Sequence, residues 1–146
     1  ALISDLPYRV FIVAVRKDSL VARHGIEAGN PYDLALAQGL CAVHTWVEGH
    51  GGGNVAWVAE SRGKRENREL ASTWDEIHRN YPGMPSSETL EFVPGSDNVA
   101  GLQLADLVGY PVARHILNPD RVNRAFEVIE PHLRNGLIAR SWILLP

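Results

Sequence analysis

The chain has 146 residues, with 14 Lys and Arg against 17 Asp and Glu, and a formal charge of -3 at pH 7. Its 45% hydrophobic and 21% charged residues match a globular domain, and the length suits one domain, residues 1–146, burying about two-thirds of its unfolded surface. No apolar run reaches the ~20 residues of a spanning helix and no secretory leader is visible, so a cytoplasmic protein without a membrane partner is expected. The lone Cys41 excludes an internal disulfide or a cysteine-based zinc site. The mild acidity offers nucleic acid no chain-wide attraction, so such a partner must be argued locally.

Residues 8–17 form a β-branched and aromatic run that is apolar on both faces, the pattern of a central, doubly covered strand. Residues 18–29 read as a polar connector. Asn30-Pro31 then opens a helix, with Asn as N-cap, Pro in the first helical position and Asp33 against the dipole, and Gly49 is its stop. His50 and three glycines lead into a strand over residues 54–59, with Glu60 at its end. A charged helix spans 64–80 with Leu70, Trp74 and Ile77 on its apolar stripe. A loop covers residues 82–87, a short strand 89–94, and Ser96-Asp97 caps a helix running to Leu117. A short helix over 121–133, interrupted by Pro131, and a strand over 137–145 complete the chain. This alternation predicts an α/β architecture with at least three parallel strands.

Two carboxylates stand out. Residues 99–110 are apolar nearly all round, which predicts a buried helix, and an ionised Asp106 there is expensive unless paired or bound to a cation. Gln103, Asp106 and Tyr110 share one face of it, and Gly109 leaves room for a close approach. The alternative is an Asp106 paired with Arg114. Glu60 stands at the carboxyl end of a parallel strand, where open α/β sheets place ligands; otherwise it merely caps the next helix. Together, Glu60 and Asp106 suggest a shared divalent site facing one cavity, and oxygen ligands favour Mg²⁺ or Mn²⁺ over zinc.

Beside Glu60, the basic run Arg62, Lys64, Arg65 and Arg68 reads either as a phosphate grip or as a solvated helix face. His50-Gly51-Gly52-Gly53 resembles an esterase oxyanion loop, and Ala59-Glu60-Ser61-Arg62-Gly63 a nucleophile elbow. Only one short strand separates the two, whereas the hydrolase order needs a strand and a helix. Asp106 with His115 or His132 completes a triad order that almost any chain offers. The plain alternative is a glycine turn followed by a helix cap.

The block Leu102-Gln103-Leu104-Ala105-Asp106-Leu107, taken with Ala59-Glu60-Ser61, resembles a bacterial domain-of-unknown-function family, number thirty-eight hundred in that series. Asn30-Pro31-Tyr32-Asp33, Ser61-Arg62-Gly63-Lys64-Arg65-Glu66 and Asn123-Arg124-Ala125-Phe126-Glu127 extend the resemblance over nearly the whole chain. It implies an RNase H-like mixed sheet with helices on both faces. It also implies a metal-dependent nuclease in which Glu60 and Asp106 are catalytic metal ligands for Mg²⁺ or Mn²⁺. Gln103 would orient Asp106 or a metal-bound water, and Arg62 and Lys64 would contact phosphate. The family pattern begins with an Asp-Glu-Ser strand and a second strand that this chain lacks. Asp5 and Asp18, which flank the residue 8–17 run, are poor substitutes. The expectation is therefore an N-terminally truncated domain, inactive by truncation unless a homo-oligomer or a partner strand completes the sheet. The second reading is a non-catalytic RNase H-like binding or assembly module, and the third a serine hydrolase using Ser61.

Overall fold

Asn30 caps its helix as the sequence predicts: its side-chain oxygen accepts from the Tyr32 N–H at 3.0 Å, and the helix runs from Pro31 to Gly49. The computed structural model describes residues 8–25, 29–81, 83–85, 87–134 and 142–145. In chain order these form β1 (Ile12–Val15), α1 (Lys17–His24), α2 (Pro31–Gly49), β2 (Trp57–Glu60), α3 (Lys64–Asn80), β3 (Leu90–Val93), α4 (Ala100–Leu117), α5 (Arg124–Arg134) and β4 (Trp142–Leu145). The fold is mixed α/β. None of its described helices is long and apolar enough to cross a membrane.

Among the described residues the strands form two parallel pairs, β1 with β4 and β2 with β3, in place of the expected sheet of three or more. Residues 52–107 form one compact unit and the residues on either side form a second, although no composition shift in the sequence marks either boundary. In the second unit β1 pairs Ile12 with Trp142 through Val15 with Leu145, and among the described residues it has no other strand partner. α2 packs on β1, where Gly39 presents no Cβ and an added one would stand 3.7 Å from Val13. All four β1 residues remain half-buried, so the strand is not the doubly covered one that its apolar run predicts.

The residue 18–29 connector is also corrected, because residues 17–24 form α1. Asp18 stands in its first turn against the dipole, Leu20 is buried, and Gly25 ends it with a positive φ of 56°. A single buried leucine leaves little periodicity to read, and packing supplies what the pattern lacks. The last helix passes through Pro131 to Arg134 instead of breaking there. A proline this late leaves only the Glu127 carbonyl without its intrahelical donor, on an exposed residue, while Ile129 and Leu133 hold the helix by burial. Asp5 and residues 137–141 of the expected final strand lie outside the described residues.

The start of α5 is tied back to α4 through one side chain. Asn123 accepts from the Phe126 N–H at 3.1 Å as an N-cap and donates through Nδ2 to the Pro111 carbonyl at 2.8 Å. Phe126, buried behind this cap, stacks on His115 with ring centroids 3.8 Å apart. Replacing Asn123 by Ala should cost about 1–2 kcal/mol in urea melts, while Asn123→Asp, which keeps the cap acceptor and loses the donor, should fall between.

Candidate functional site

Alternation along β2 decides where Glu60 points. Trp57 and Ala59 are partly covered, whereas Val58 and Glu60 are exposed. Trp57 meets Trp74 of α3 edge to face, with centroids 5.5 Å apart. Side chains two apart share a sheet face, so Glu60 lies on the face turned away from α3. Parallel pairing continues past the strand ends, from the Trp57 N–H to Thr89 O at 3.4 Å and from the Ser61 N–H to Val93 O at 2.8 Å. In this register Glu91 pairs with Val58, and it presents a second exposed carboxylate on the Glu60 face. The sequence reading passed over Glu91. Its signal was the polar position in Leu90-Glu91-Phe92.

The Glu60 carboxylate is lodged against the turn that follows β3. An added Cβ on Gly95 would stand 2.6 Å from Glu60 Oε1, so the absence of a side chain there makes room for the carboxylate. Gly95–Asp97 forms a short 3-10 turn closed by Asn98 in the left-handed region at φ 50°. Gln103 donates from Nε2 to Asn98 Oδ1 at 3.1 Å. Glu60 therefore lies against this turn and Gln103 bonds to it, through Asn98 and not Asp106.

Asp106 is exposed, which corrects the expectation of a carboxylate buried in an apolar helix. Leu107 is 59% and Tyr110 73% exposed, so the polar seam of Gln103, Asp106 and Tyr110 is an outer face of α4. The helix hides only part of its apolar surface, Val108, Pro111 and Val112 being its buried residues. Composition cannot say which side of an apolar helix meets a partner. The alternative pairing with Arg114 is not formed either: both residues are exposed and make no ion pair among the described residues. Asp106 makes no ion pair among the described residues. No group of three or more His, Cys, Asp or Glu among them is arranged to hold a metal ion.

After Glu60 the chain turns into α3 through Ser61, Arg62 and Gly63. Asn67, in the helix, donates to Ser61 Oγ at 2.8 Å and accepts from the Arg62 N–H at 3.1 Å. The Ser61 hydroxyl thus takes part in holding the helix start, the glycine-turn and helix-cap alternative. His115 and His132 are engaged in ring stacking, on Phe126 and Tyr8. Gly63 has φ 129°, a conformation that L side chains rarely adopt. Arg62, Lys64, Arg65 and Arg68 are all exposed. Arg65 bonds Glu69 at 2.9 Å, and this hydrogen bond, with the charge of Glu69, holds its guanidinium above the usual value. Arg62, Lys64 and Arg68 make no ion pair among the described residues.

No protein-family model, curated protein or solved structure matches the chain.

Gly63→Ala should cost about 1–3 kcal/mol in urea melts through backbone strain. Gly95→Ala meets only the flexible end of Glu60, so it should change stability by less than about 0.5 kcal/mol while shifting the Glu60 carboxyl resonance. Asp106→Asn, at an exposed position, should also stay within about 0.5 kcal/mol in chelator.

Proposed function

We propose that this chain engages nucleic-acid phosphodiesters, as an RNase H-like module that grips the backbone with the cations following β2. The observation that carries this reading is the trio Arg62, Lys64 and Arg68. All three are exposed, without ion pairs among the described residues, and they stand within eight residues of the Glu60 strand end. Lys64 opens α3, where the helix dipole disfavours a cation. A cation kept there at a cost to the helix is suited to binding an anion, and the first helical N–H groups add to the same attraction.

Two chemistries fit a backbone grip. In the nuclease reading, Glu60 and Asp106 hold Mg²⁺ or Mn²⁺, which would polarise the scissile phosphate. The donor set of the described residues does not fit a two-metal clamp, because Glu60 leans on the Gly95 turn, Gln103 bonds Asn98, and no third donor completes a cluster. No hydrolytic step is therefore built on it. That same donor set favours the second reading, a module that binds without cleaving, alone or with a further strand or a second copy.

Binding of labelled single- and double-stranded DNA and RNA, with and without Mn²⁺, tests both. Joint Arg62→Ala, Lys64→Ala and Arg68→Ala replacement should weaken binding for every sequence. It should also flatten the log K against log salt slope by up to about 2–3, since each lost phosphate contact removes about 0.7–0.9. An unchanged slope would sink the backbone grip. Cleavage abolished by chelator and by Glu60→Gln would restore the nuclease.

A further inference from the structure

The outer face of α4 leaves large apolar side chains in solvent. Leu107, Tyr110 and Leu117 are 59%, 73% and 77% exposed. At 3.6 residues per turn they share an arc of about 100° with Asp106 and Arg114, opposite the buried Val108, Pro111 and Val112. Apolar side chains clustered in this way mark a protein contact. We propose that this face binds a second copy of the chain, the two α4 helices lying antiparallel about a two-fold axis at Tyr110. The proposal is independent of the phosphodiester grip, whose cations Arg62, Lys64 and Arg68 it does not use.

Charge chooses the occupant. Asp106 and Arg114 are the only Asp, Glu, Lys or Arg residues of α4, and both are exposed with no ion pair among the described residues. They stand four residues before and four residues after Tyr110. An antiparallel two-fold at Tyr110 sets each residue before it level with the one equally far after it in the partner. Asp106 then faces the partner's Arg114 and Arg114 faces the partner's Asp106, so the symmetry forms the same pair twice. A parallel two-fold would set Asp against Asp and Arg against Arg, which is unfavourable. The antiparallel order also opposes the two helix dipoles.

Shape agrees with this order. Leu107 comes level with the partner's Ala113, which is small and exposed. Gly109, beside Tyr110, is exposed too, with open space where a side chain would stand. Both positions leave room for apolar side chains of the second copy. The face is a strip about 21 Å long and about 10 Å wide, well short of the about 800 Å² per partner of a standard interface, so a reversible dimer is expected.

Sedimentation equilibrium of the full chain from about 10 µM to about 1 mM tests this. The weight-average mass should rise with concentration and level off at twice that of the monomer. Asp106→Arg or Arg114→Asp alone should weaken association about tenfold, because symmetry makes each change twice and sets like charges opposite. Combining the two should restore association to within about threefold of the unaltered chain. Tyr110→Lys, which sets two cations at the axis, should weaken it about thirtyfold or more. All these positions are exposed, and circular dichroism checks that each variant folds. A chain that stays monomeric over the whole range would overturn the proposal and leave the face to a partner of another kind. Growth past the dimer, an undiminished dimer in Tyr110→Lys, or a double swap no better than the single changes would overturn it as well.

Discussion

The hydrogen bond from the Trp57 indole to the buried Glu88 carboxylate, at 2.6 Å, fixes the arrangement of the residue 52–107 unit. A bond to a charged acceptor contributes about 1.5–3 kcal/mol net, and breaking it would leave a buried carboxylate poorly satisfied. It pins Trp57 beside Trp74, so it decides which face of β2 looks toward α3. Every second residue then follows. Ala59 joins Trp57, and Glu60 goes to the opposite, open face with Glu91. Its acceptor, Glu88, also lines a cleft with Trp74 and His78.

Glycines complete this arrangement by what they lack. Gly63 takes a backbone conformation that L side chains rarely adopt and lets the chain leave β2 directly into α3. Gly95 leaves the space that the Glu60 carboxylate occupies. Between them they hold a carboxylate at a strand end near a cationic helix start, with the acid and the bases kept on successive segments. The Arg65–Glu69 pair is an ordinary exposed helix pair of small energetic worth, whereas Arg62, Lys64 and Arg68 make no ion pair among the described residues.

In the other unit, burial does the work that polar contacts do here. Leu20, Leu40, Val112, Ile129 and Leu133 are all buried, and the thiol of the half-buried Cys41 is pushed up by burial. Asn123 joins α4 and α5 by serving as cap and donor at once. Prolines inside both helices are tolerated because the packed faces outweigh one missing hydrogen bond in each.

Local rules settled much of this protein in advance. The Asn30 cap, the Gly49 stop, the full span of α3 and the end of α4 at Leu117 all follow from capping residues and periodicity that act within a few residues of chain. The Glu60 position at a strand end follows likewise. Tertiary structure decided the rest. Whether the strands form one sheet or two pairs depends on contacts far apart in sequence. Asp106 is exposed because an apolar helix has more hydrophobic surface than its neighbours cover, and composition cannot choose the side. Gln103 turns to Asn98 because a left-handed residue places that amide oxygen within reach. The His78 and Glu88 cleft needs three segments brought together by a tryptophan, an arrangement that no spacing along the chain encodes.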